Sequence, residues 1–187
     1  MRKAILALTA LLLLFVMASC SSLKVRMGES SDFHLLPLSA VGEPLDSYQL
    51  VSGTFPGMED EMAVEAWLVW DDQALDLMLF APTGQTMGKV TYDGQKLSFE
   101  STFLPEYRII GMYIVADMQL CFATSEALEA EFGENGMILV EGYAHDVLTR
   151  RTVFEKGALV YEITYNGNVI SVSNTLRGYS YTIEILE

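Results

Sequence analysis

Apolar and polar residues alternate along most of the chain beyond Asp46, which is the pattern of strands with one buried and one solvated face. In the segment from Met62 to Trp70, apolar residues occupy every second position. Short turns separate such segments, and Asn166-Gly167 is the clearest hairpin turn among them. Because the linkers are short, successive strands are predicted to be antiparallel. The predicted strands are 48–55, 62–70, 75–79, 87–92, 97–103, 137–143, 147–155, 158–165, 169–175 and 179–186.

One long stretch, residues 104–132, breaks the alternation and predicts helices. Its core, from Ile109 to Phe122, is apolar on nearly every side, and Pro105 suits a first helical turn. A helix that is apolar all round is buried on both sides. The run is too short to span a bilayer, which needs about 20 apolar residues. The sheet can cover only one face of this helix. The function therefore depends on what covers the other face.

A second, shorter helix is expected over residues 126–132. Thr124 or Ser125 can serve as its N-cap, and Gly133 is expected to end it. The two helices together form a helical insert between two runs of strands.

About ten sequential strands form a sheet that must curl, split or close, because strand twist accumulates. The predicted fold is therefore mainly β with a helical insert: a curled antiparallel sheet, or incomplete barrel, covered by helices. In 158–165 and 179–186 one face is apolar and the other polar, as expected for a sheet covered on one side only. Such an architecture would enclose an apolar space.

The N-terminal segment has the layout of an export signal, with the charged pair Arg2-Lys3 before an apolar run, 4–16. Met17-Ala18-Ser19-Cys20 follows and resembles the bacterial lipobox. The resemblance implies cleavage before Cys20, a diacylglycerol thioether on its sulfur and acylation of the new amine. An ordinary secretory signal or an uncleaved anchor are the alternatives.

Several acyl chains would hold the protein stably, since each buried CH₂ contributes roughly 0.8 kcal/mol. Ser21 stands where aspartate would signal retention in the inner membrane, which favours the periplasmic face of the outer membrane. The predicted plan is a lipoprotein signal peptide over 1–19, the lipidated Cys20 with a polar tether over 20–44, and one folded domain over 45–187. The apolar stretch 33–38 is a candidate for docking on that domain.

The chain of 187 residues carries a formal net charge of −14. Such a surface repels nucleic acid and gains no attraction from anionic lipid, so nucleic-acid partners are excluded and no basic patch holds the protein to a membrane. Cys121 has no partner for a disulfide once Cys20 is lipidated, and its apolar surroundings predict a buried small residue.

The sequence contains few patterns that are typical of catalytic or metal-binding sites. Ser21-Ser22-Leu23-Lys24 has the Ser-x-x-Lys spacing but directly follows Cys20, and we attribute it to chance. No nucleophile elbow, phosphate-binding loop or Cys-x-x-Cys pair occurs. His34 and His145 are far apart in sequence, so no metal site and no cofactor are predicted. The protein is expected not to be an enzyme.

Asp117 and Gln119 are the polar residues of the apolar helix, and their spacing places them on different sides of it. They could bind a ligand headgroup at a cavity mouth. We favour the hypothesis that they hydrogen-bond to nearby backbone or to a residue such as Arg108 or Arg177, because a buried carboxylate needs a partner.

Several short motifs bear a family resemblance. The segment 77–86 is similar to the LolB hairpin, and the succession of lipobox, strands, helical insert and strands resembles the LolA/LolB fold. Ile114–Leu120, with Asp-x-Gln-Leu, and Asn174–Tyr179, with Arg-Gly-Tyr, are similar to an uncharacterised set of LolB-like lipoproteins, the domain of unknown function 3261. The resemblance implies an incomplete barrel with a helical lid over a hydrophobic cavity that handles an amphipathic lipid.

One position departs from the LolB pattern. Thr83 stands where the LolB hairpin has a protruding leucine that helps insert lipoproteins into the membrane. Threonine cannot bury comparable apolar surface in lipid.

Taken together, these observations predict an outer-membrane lipoprotein that binds a lipid or acyl chain in a hydrophobic cavity, for lipid or lipoprotein transfer or insertion. The alternative is a structural envelope lipoprotein whose filled core docks a protein partner. The Met and aromatic residues are compatible with both functions, since they can line a lipid cavity or fill a core. The candidate ligand-binding residues are Leu68, Trp70, Leu77, Leu79, Ile110, Tyr113, Ile114, Met118, Tyr161 and Ile163.

Overall fold

The computed structural model describes residues 23–54, 61–102 and 108–186. The predicted signal peptide and Cys20 lie outside the described residues, as does Pro105.

Within these ranges, ten antiparallel strands form one sheet in the order β7-β6-β5-β4-β3-β12-β11-β10-β9-β8. Two meanders, β3 to β7 and β8 to β12, are joined where the first strand of one pairs with the last strand of the other, with Ser180 opposite Thr54. The sheet is not closed, since β7 and β8 are its two edges. The strands are β3 (Leu45–Thr54), β4 (Met62–Trp70), β5 (Leu75–Phe80), β6 (Thr86–Tyr92), β7 (Leu97–Ser101), β8 (Met137–Ala144), β9 (Val147–Glu155), β10 (Ala158–Asn166), β11 (Val169–Asn174) and β12 (Tyr179–Ile185).

The mainly β fold predicted from the alternation is confirmed. Along β12, Tyr179, Tyr181 and Ile183 are buried while Ser180 and Glu184 are exposed. We call the face that carries the buried residues the inner face and the opposite one the outer face. Both helices lie between the two meanders in sequence and pack on this sheet.

The helical insert consists of α1 (Arg108–Phe122) and α2 (Ser125–Glu134). Thr124 is the N-cap of α2, because its side-chain oxygen accepts a hydrogen bond from the Ala127 N–H. The predicted helix end at Phe132, closed by Gly133, is wrong by two residues. The helix runs to Glu134 and is followed by Asn135 and by Gly136, whose φ of +71° favours glycine.

A folded segment precedes the sheet, and we call it the strap, residues 23–41. It contains the hairpin β1 (Lys24–Arg26) and β2 (Asp32–His34) and a 3₁₀ turn, Leu38–Val41. The prediction of a tether over 20–44 is therefore wrong from residue 23 onward, and the domain begins before residue 45. Polar residues dominate only the hairpin turn, and the strap side chains that pack into the core are Val25, Met27, Phe33, Leu35, Leu36, Leu38 and Ala40.

The hairpin turn of the strap is held by one carboxylate. Glu155, at the end of β9, accepts hydrogen bonds from the Glu29 N–H at 2.6 Å, the Ser30 N–H at 3.0 Å and the Ser31 hydroxyl at 2.6 Å. These hydrogen bonds lower the pKa of Glu155 to about 2, and the bond from the Ser31 hydroxyl has the largest effect. A Cβ on Gly28 would lie 2.6 Å from this carboxyl group, so glycine permits the close approach.

Within the described ranges, neither α1 nor α2 has the length and apolarity that a membrane-spanning helix requires.

Truncating a strap side chain tests whether the strap is part of the folded core. Phe33 is fully buried and its ring lies 5.6 Å from that of Phe132 in α2. We expect Phe33→Ala to lower the free energy of unfolding by about 3–5 kcal/mol, measured by urea denaturation. Leu176→Ala, at a side chain that is 43% exposed, serves as control and should change stability by less than about 0.5 kcal/mol. Equal, small effects of both substitutions would contradict a packed strap.

Candidate functional site

A buried carboxylate lies at the centre of the space between α1 and the sheet. Asp117 accepts hydrogen bonds from the Tyr161 hydroxyl at 2.9 Å, the Tyr179 hydroxyl at 2.9 Å and the Tyr181 hydroxyl at 3.0 Å. Tyr161 is on β10 and the other two tyrosines are on β12. The tyrosine hydroxyls thus satisfy both carboxylate oxygens, and the helix is tied to two strands at one point.

Burial raises the pKa of Asp117 to about 6, although the three tyrosine hydrogen bonds and the charge of Arg177 act in the opposite direction. The expectation that Asp117 has an internal partner is met, but the partners are tyrosines. Arg177 acts on Asp117 only through its charge. Burial and the neighbouring carboxylate also raise the pKa of Tyr161 and Tyr181.

Gln119 binds the strap on the other side of α1. Its Oε1 accepts the Leu36 N–H at 2.8 Å, and its Nε2 donates to the Leu36 carbonyl at 3.0 Å. The predicted placement of Asp117 and Gln119 on different sides of the helix is thus confirmed. The strap, made of the chain itself, covers the face of α1 that the sheet leaves free.

The strap is bound to the inner face of the sheet as well. The buried Trp70 indole donates to the Leu38 carbonyl at 3.0 Å, and the Tyr92 hydroxyl donates to the Leu36 carbonyl at 3.1 Å. Trp70, one of the predicted ligand-binding residues, therefore contacts the strap instead of an empty cavity.

The C-terminal end of α1 is capped by an arginine that sequence reasoning missed. Arg151, on β9, donates to the carbonyls of Leu120 and Ala123, each at 2.8 Å, and pairs with Glu141 at 2.8 Å. Both charged side chains are nearly fully buried. The guanidinium satisfies carbonyls that a helix end leaves unpaired and complements the negative end of the helix dipole. In sequence, Arg151 lies in the polar run Thr149-Arg150-Arg151-Thr152, so no local signal marked it as buried.

The predicted ligand-binding residues divide into two groups. The fully buried group belongs to the core and consists of Leu68, Trp70, Leu77, Met118, Tyr161 and Ile163. The partly buried group packs against that core from its margin and consists of Leu79, Ile110, Tyr113 and Ile114.

The partly buried group lies at one end of the sheet. Alternate turns of an antiparallel meander lie at the same end, and Ser180 opposite Thr54 aligns the two meanders, so the turns 81–85 and 175–178 lie at the same end. Leu79 lies two residues before the first of these turns. The other three residues lie in the first two turns of α1, which begins after β7 has run toward this end. We call it the open end.

Close packing fixes the start of α1 near β7. A Cβ on Gly111 would lie 2.8 Å from the Cβ of Phe99, so the helix backbone approaches the strand directly. Ile109, two residues earlier and therefore on a different side of the helix, is 45% exposed. The first turns of α1 therefore present apolar side chains at the open end that the described residues cover only in part.

The margin between the open end and the strap is closed by Tyr113 and Arg177. The Arg177 guanidinium lies 4.2 Å from the centre of the Tyr113 ring and hydrogen-bonds both the Tyr113 hydroxyl and the Arg26 carbonyl of the strap. The Tyr113 hydroxyl also donates to the Arg26 carbonyl at 3.1 Å. A cation over an aromatic face is favourable at such a distance.

No group of three or more His, Cys, Asp and Glu side chains in the described ranges is arranged to hold a metal ion. His34 is paired with Glu131 at 3.0 Å instead. Cys121 is buried, and burial raises the pKa of its thiol, so it is not an activated nucleophile.

Comparison with known families matches residues 46–187 to a family described as protein of unknown function (DUF3261). No curated protein matches the sequence. Among solved structures, the chain is similar to the crystal structure of LolA superfamily protein NE2245 from Nitrosomonas europaea, with 7% sequence identity and a TM-score of 0.45, over 78% of this chain and 84% of that chain. The family match takes in both helices and nearly all of the ten-stranded sheet, and the strap precedes it.

The raised pKa of Asp117 predicts how stability depends on pH. A carboxyl whose pKa is higher in the folded than in the unfolded state stabilises fully below its unfolded pKa, and this contribution is lost as pH rises through about 6. Relative to Asp117→Asn, the wild-type protein should therefore lose up to about 3 kcal/mol of unfolding free energy between pH 4 and pH 8.

Urea denaturation at a series of pH values measures this difference. Asp72→Asn, at an exposed turn position, is the control, and its curve should run parallel to that of the wild type. Parallel curves for wild type and Asp117→Asn would contradict an Asp117 that titrates inside the fold.

Proposed function

The chain belongs to the DUF3261 family, and from that premise we propose that it is a LolB-like outer-membrane lipoprotein which binds a lipid acyl chain at the open end during lipid or lipoprotein transfer or insertion. The proposed activity is non-enzymatic and needs no cofactor. The observation that supports it is the partly buried apolar group at the open end, Leu79, Ile110, Tyr113 and Ile114, which packs against the buried core.

The ligand would enter between the first turns of α1 and the strands β4 to β6. Val51 and Val64 face each other across β3 and β4, and Leu79 lies on the neighbouring strand opposite Ala66. These side chains continue the apolar inner face up to the open end. Burying the ligand there would contribute roughly 25 cal/mol per Å² of apolar surface, before the cost of ordering it.

Polar contacts limit how deep such a chain can reach. Further along α1, the carboxylate of Asp117 and its tyrosines occupy the sheet side, and Gln119 with Leu36 occupies the strap side. An acyl chain cannot replace these hydrogen bonds, so displacing them would leave buried polar groups unpaired. The proposed site is therefore short and confined to the open end.

The anchor would hold this domain close to the membrane. Only Ser21 and Ser22 separate Cys20 from Leu23, whose carbonyl already accepts a hydrogen bond from the Leu35 N–H at 2.8 Å. Three residues span at most about 11 Å. A lipid on Cys20 would thus keep the strap beside the bilayer, and the ligand would be taken up or released at that membrane.

The exposed turn that contains Thr83 is not proposed to enter the membrane. Thr83 lies between β5 and β6 and is exposed. It offers little apolar surface to lipid. Delivery to the membrane would then depend on the lipid anchor and the open end.

A scaffold that docks an envelope protein is the second candidate. It is favoured by the strap, which fills the face of α1 where a cavity was expected, and by the buried Arg151 pair that fixes the end of the helix. This candidate requires no ligand in the purified protein.

Native mass spectrometry and lipid extraction of the mature chain, with titration of a fluorescent fatty-acyl probe, distinguish the two candidates. Carriage predicts co-purifying lipid and probe binding, and truncation of two lining residues by Ile110→Ala and Ile114→Ala should weaken the probe about tenfold, because apolar contact area is lost. Ile138→Ala, at an outer-face residue that is 60% exposed, is the matched control and should leave binding unchanged. Absence of both lipid and probe binding would exclude carriage and leave the scaffold.

The lipid anchor has its own test. In cells supplied with an alkyne-tagged fatty acid, the mature chain should carry the tag and fractionate with the outer membrane, whereas Cys20→Ser should lose the tag. Cys121→Ser is the control, because a buried thiol is inaccessible to acylation. A tag that persists in Cys20→Ser, or that is lost in Cys121→Ser, would contradict lipidation at Cys20.

A further inference from the structure

We propose that the outer face of the central strands carries a second site, which binds a neutral glycan chain. A groove of about 450 Å³ runs across β3, β12, β11 and β10 on the face opposite α1. This volume is within the range of small-molecule sites, about 300–1,000 Å³. Its lining is dominated by hydroxyl groups, and the outward-facing residues are Ser52, Thr54, Glu61, Glu162, Thr164, Ser171, Ser173, Ser180 and Thr182.

Strand register arranges these hydroxyl groups in two rows. One row runs Ser52–Thr182–Ser171–Thr164 across the four strands, because each of these residues is directly opposite the next. The second row, one outward-facing position along, runs Thr54–Ser180–Ser173–Glu162. Strands lie about 4.8 Å apart, so each row repeats at roughly the size of one sugar ring.

The rows keep most of their hydrogen-bonding capacity. Ser52 Oγ and Thr182 Oγ1 lie 3.0 Å apart and bond each other. The hydroxyls of Thr164, Ser171 and Ser173 make no hydrogen bond to another side chain or backbone group among the described residues. A hydroxyl both donates and accepts, as do the hydroxyls of a sugar, so the two surfaces are chemically complementary.

An aromatic platform lies on the same face. Trp67 is 43% exposed on β4, and its indole nitrogen donates to Asp46 at 2.6 Å, which fixes the ring. Tyr48 is directly opposite on β3, on the same side of that strand as Ser52. Four residues of strand separate Tyr48 from Ser52, or about 13 Å. A glycan of several sugars could therefore stack on the platform and extend into the groove.

The negative charge of the groove and of the whole chain disfavours anionic glycans. Two carboxylates, Glu61 and Glu162, belong to the groove lining, and the whole chain has a net charge of −14. Both carboxylates can accept hydrogen bonds from sugar hydroxyls, but they repel anionic polymers. An acyl chain would cover the hydroxyl groups of the groove without offering them hydrogen-bond partners, which is unfavourable. A neutral glycan remains as the occupant that fits the groove.

At the centre of the groove, Gly53 on β3 is opposite Tyr181 on β12 and carries no side chain, so the groove reaches the strand backbone there. The site shares no residue with the open end, so glycan binding and acyl-chain binding can fail independently.

Fluorescence of the full mature protein in detergent tests the proposal. The chain has two tryptophans, and Trp70 is fully buried, so acrylamide quenching reports on Trp67. The probes are the neutral hexasaccharides of cellulose and chitin and an anionic hexamer of galacturonic acid. At least one neutral probe should protect Trp67 from acrylamide in a saturable manner, and the anionic probe should not.

Variants assign the binding to the groove. Ser171→Val with Ser173→Val should weaken the neutral probe at least tenfold, measured by calorimetry, with an unchanged circular-dichroism spectrum. Ser98→Val, an exposed outer-face serine outside the groove, is the matched control and should bind as the wild type does. Absence of protection by both neutral probes, equal binding by the groove variant, or preference for the anionic probe would overturn the proposal.

Discussion

The hydrogen bonds between one buried carboxylate and three tyrosine hydroxyls hold the structure together at its centre. Asp117 lies on α1, and its partners Tyr161, Tyr179 and Tyr181 lie on β10 and β12. Removing a carboxylate from water is unfavourable unless hydrogen bonds replace the lost solvation, and here three hydroxyls do so. The position of α1 over the sheet is therefore specified by direction-dependent bonds as well as by apolar packing. The strand pairing around these tyrosines also joins the two meanders.

Two further polar contacts define what surrounds α1. Arg151 binds the carbonyls at its C-terminal end, and Gln119 binds both backbone groups of Leu36 in the strap. Each contact satisfies groups that would otherwise be buried without partners. The chain thus fills most of the space that the curled sheet encloses, and one group of partly buried apolar residues lies where α1 begins. This distribution is why acyl-chain binding is assigned to the open end.

The two short motifs that carry the family resemblance meet in space. In Asp-x-Gln-Leu, Asp117 binds the sheet and Gln119 binds the strap. In Arg-Gly-Tyr, Arg177 binds the strap, Gly178 adopts a φ of +69° in the turn, and Tyr179 binds Asp117. Both motifs therefore fix the helix between sheet and strap. A residue pattern that resembles a ligand site in sequence is, among these residues, mainly a framework that positions the helix.

The amino-acid sequence by itself determined the strands, their antiparallel order, the two helices and the burial of α1 on both sides, because alternation, turn residues and apolar periodicity are local properties. It also placed Asp117 and Gln119 on different sides of the helix, since that follows from helical spacing. Only the tertiary structure decided that tyrosines partner Asp117, that Arg151 caps α1 and that residues 23–41 form a strap. These contacts join residues from 28 to 126 positions apart, and no local pattern encodes them. The polar turn of the strap resembled a tether because its binding carboxylate, Glu155, lies more than 100 residues further along the chain.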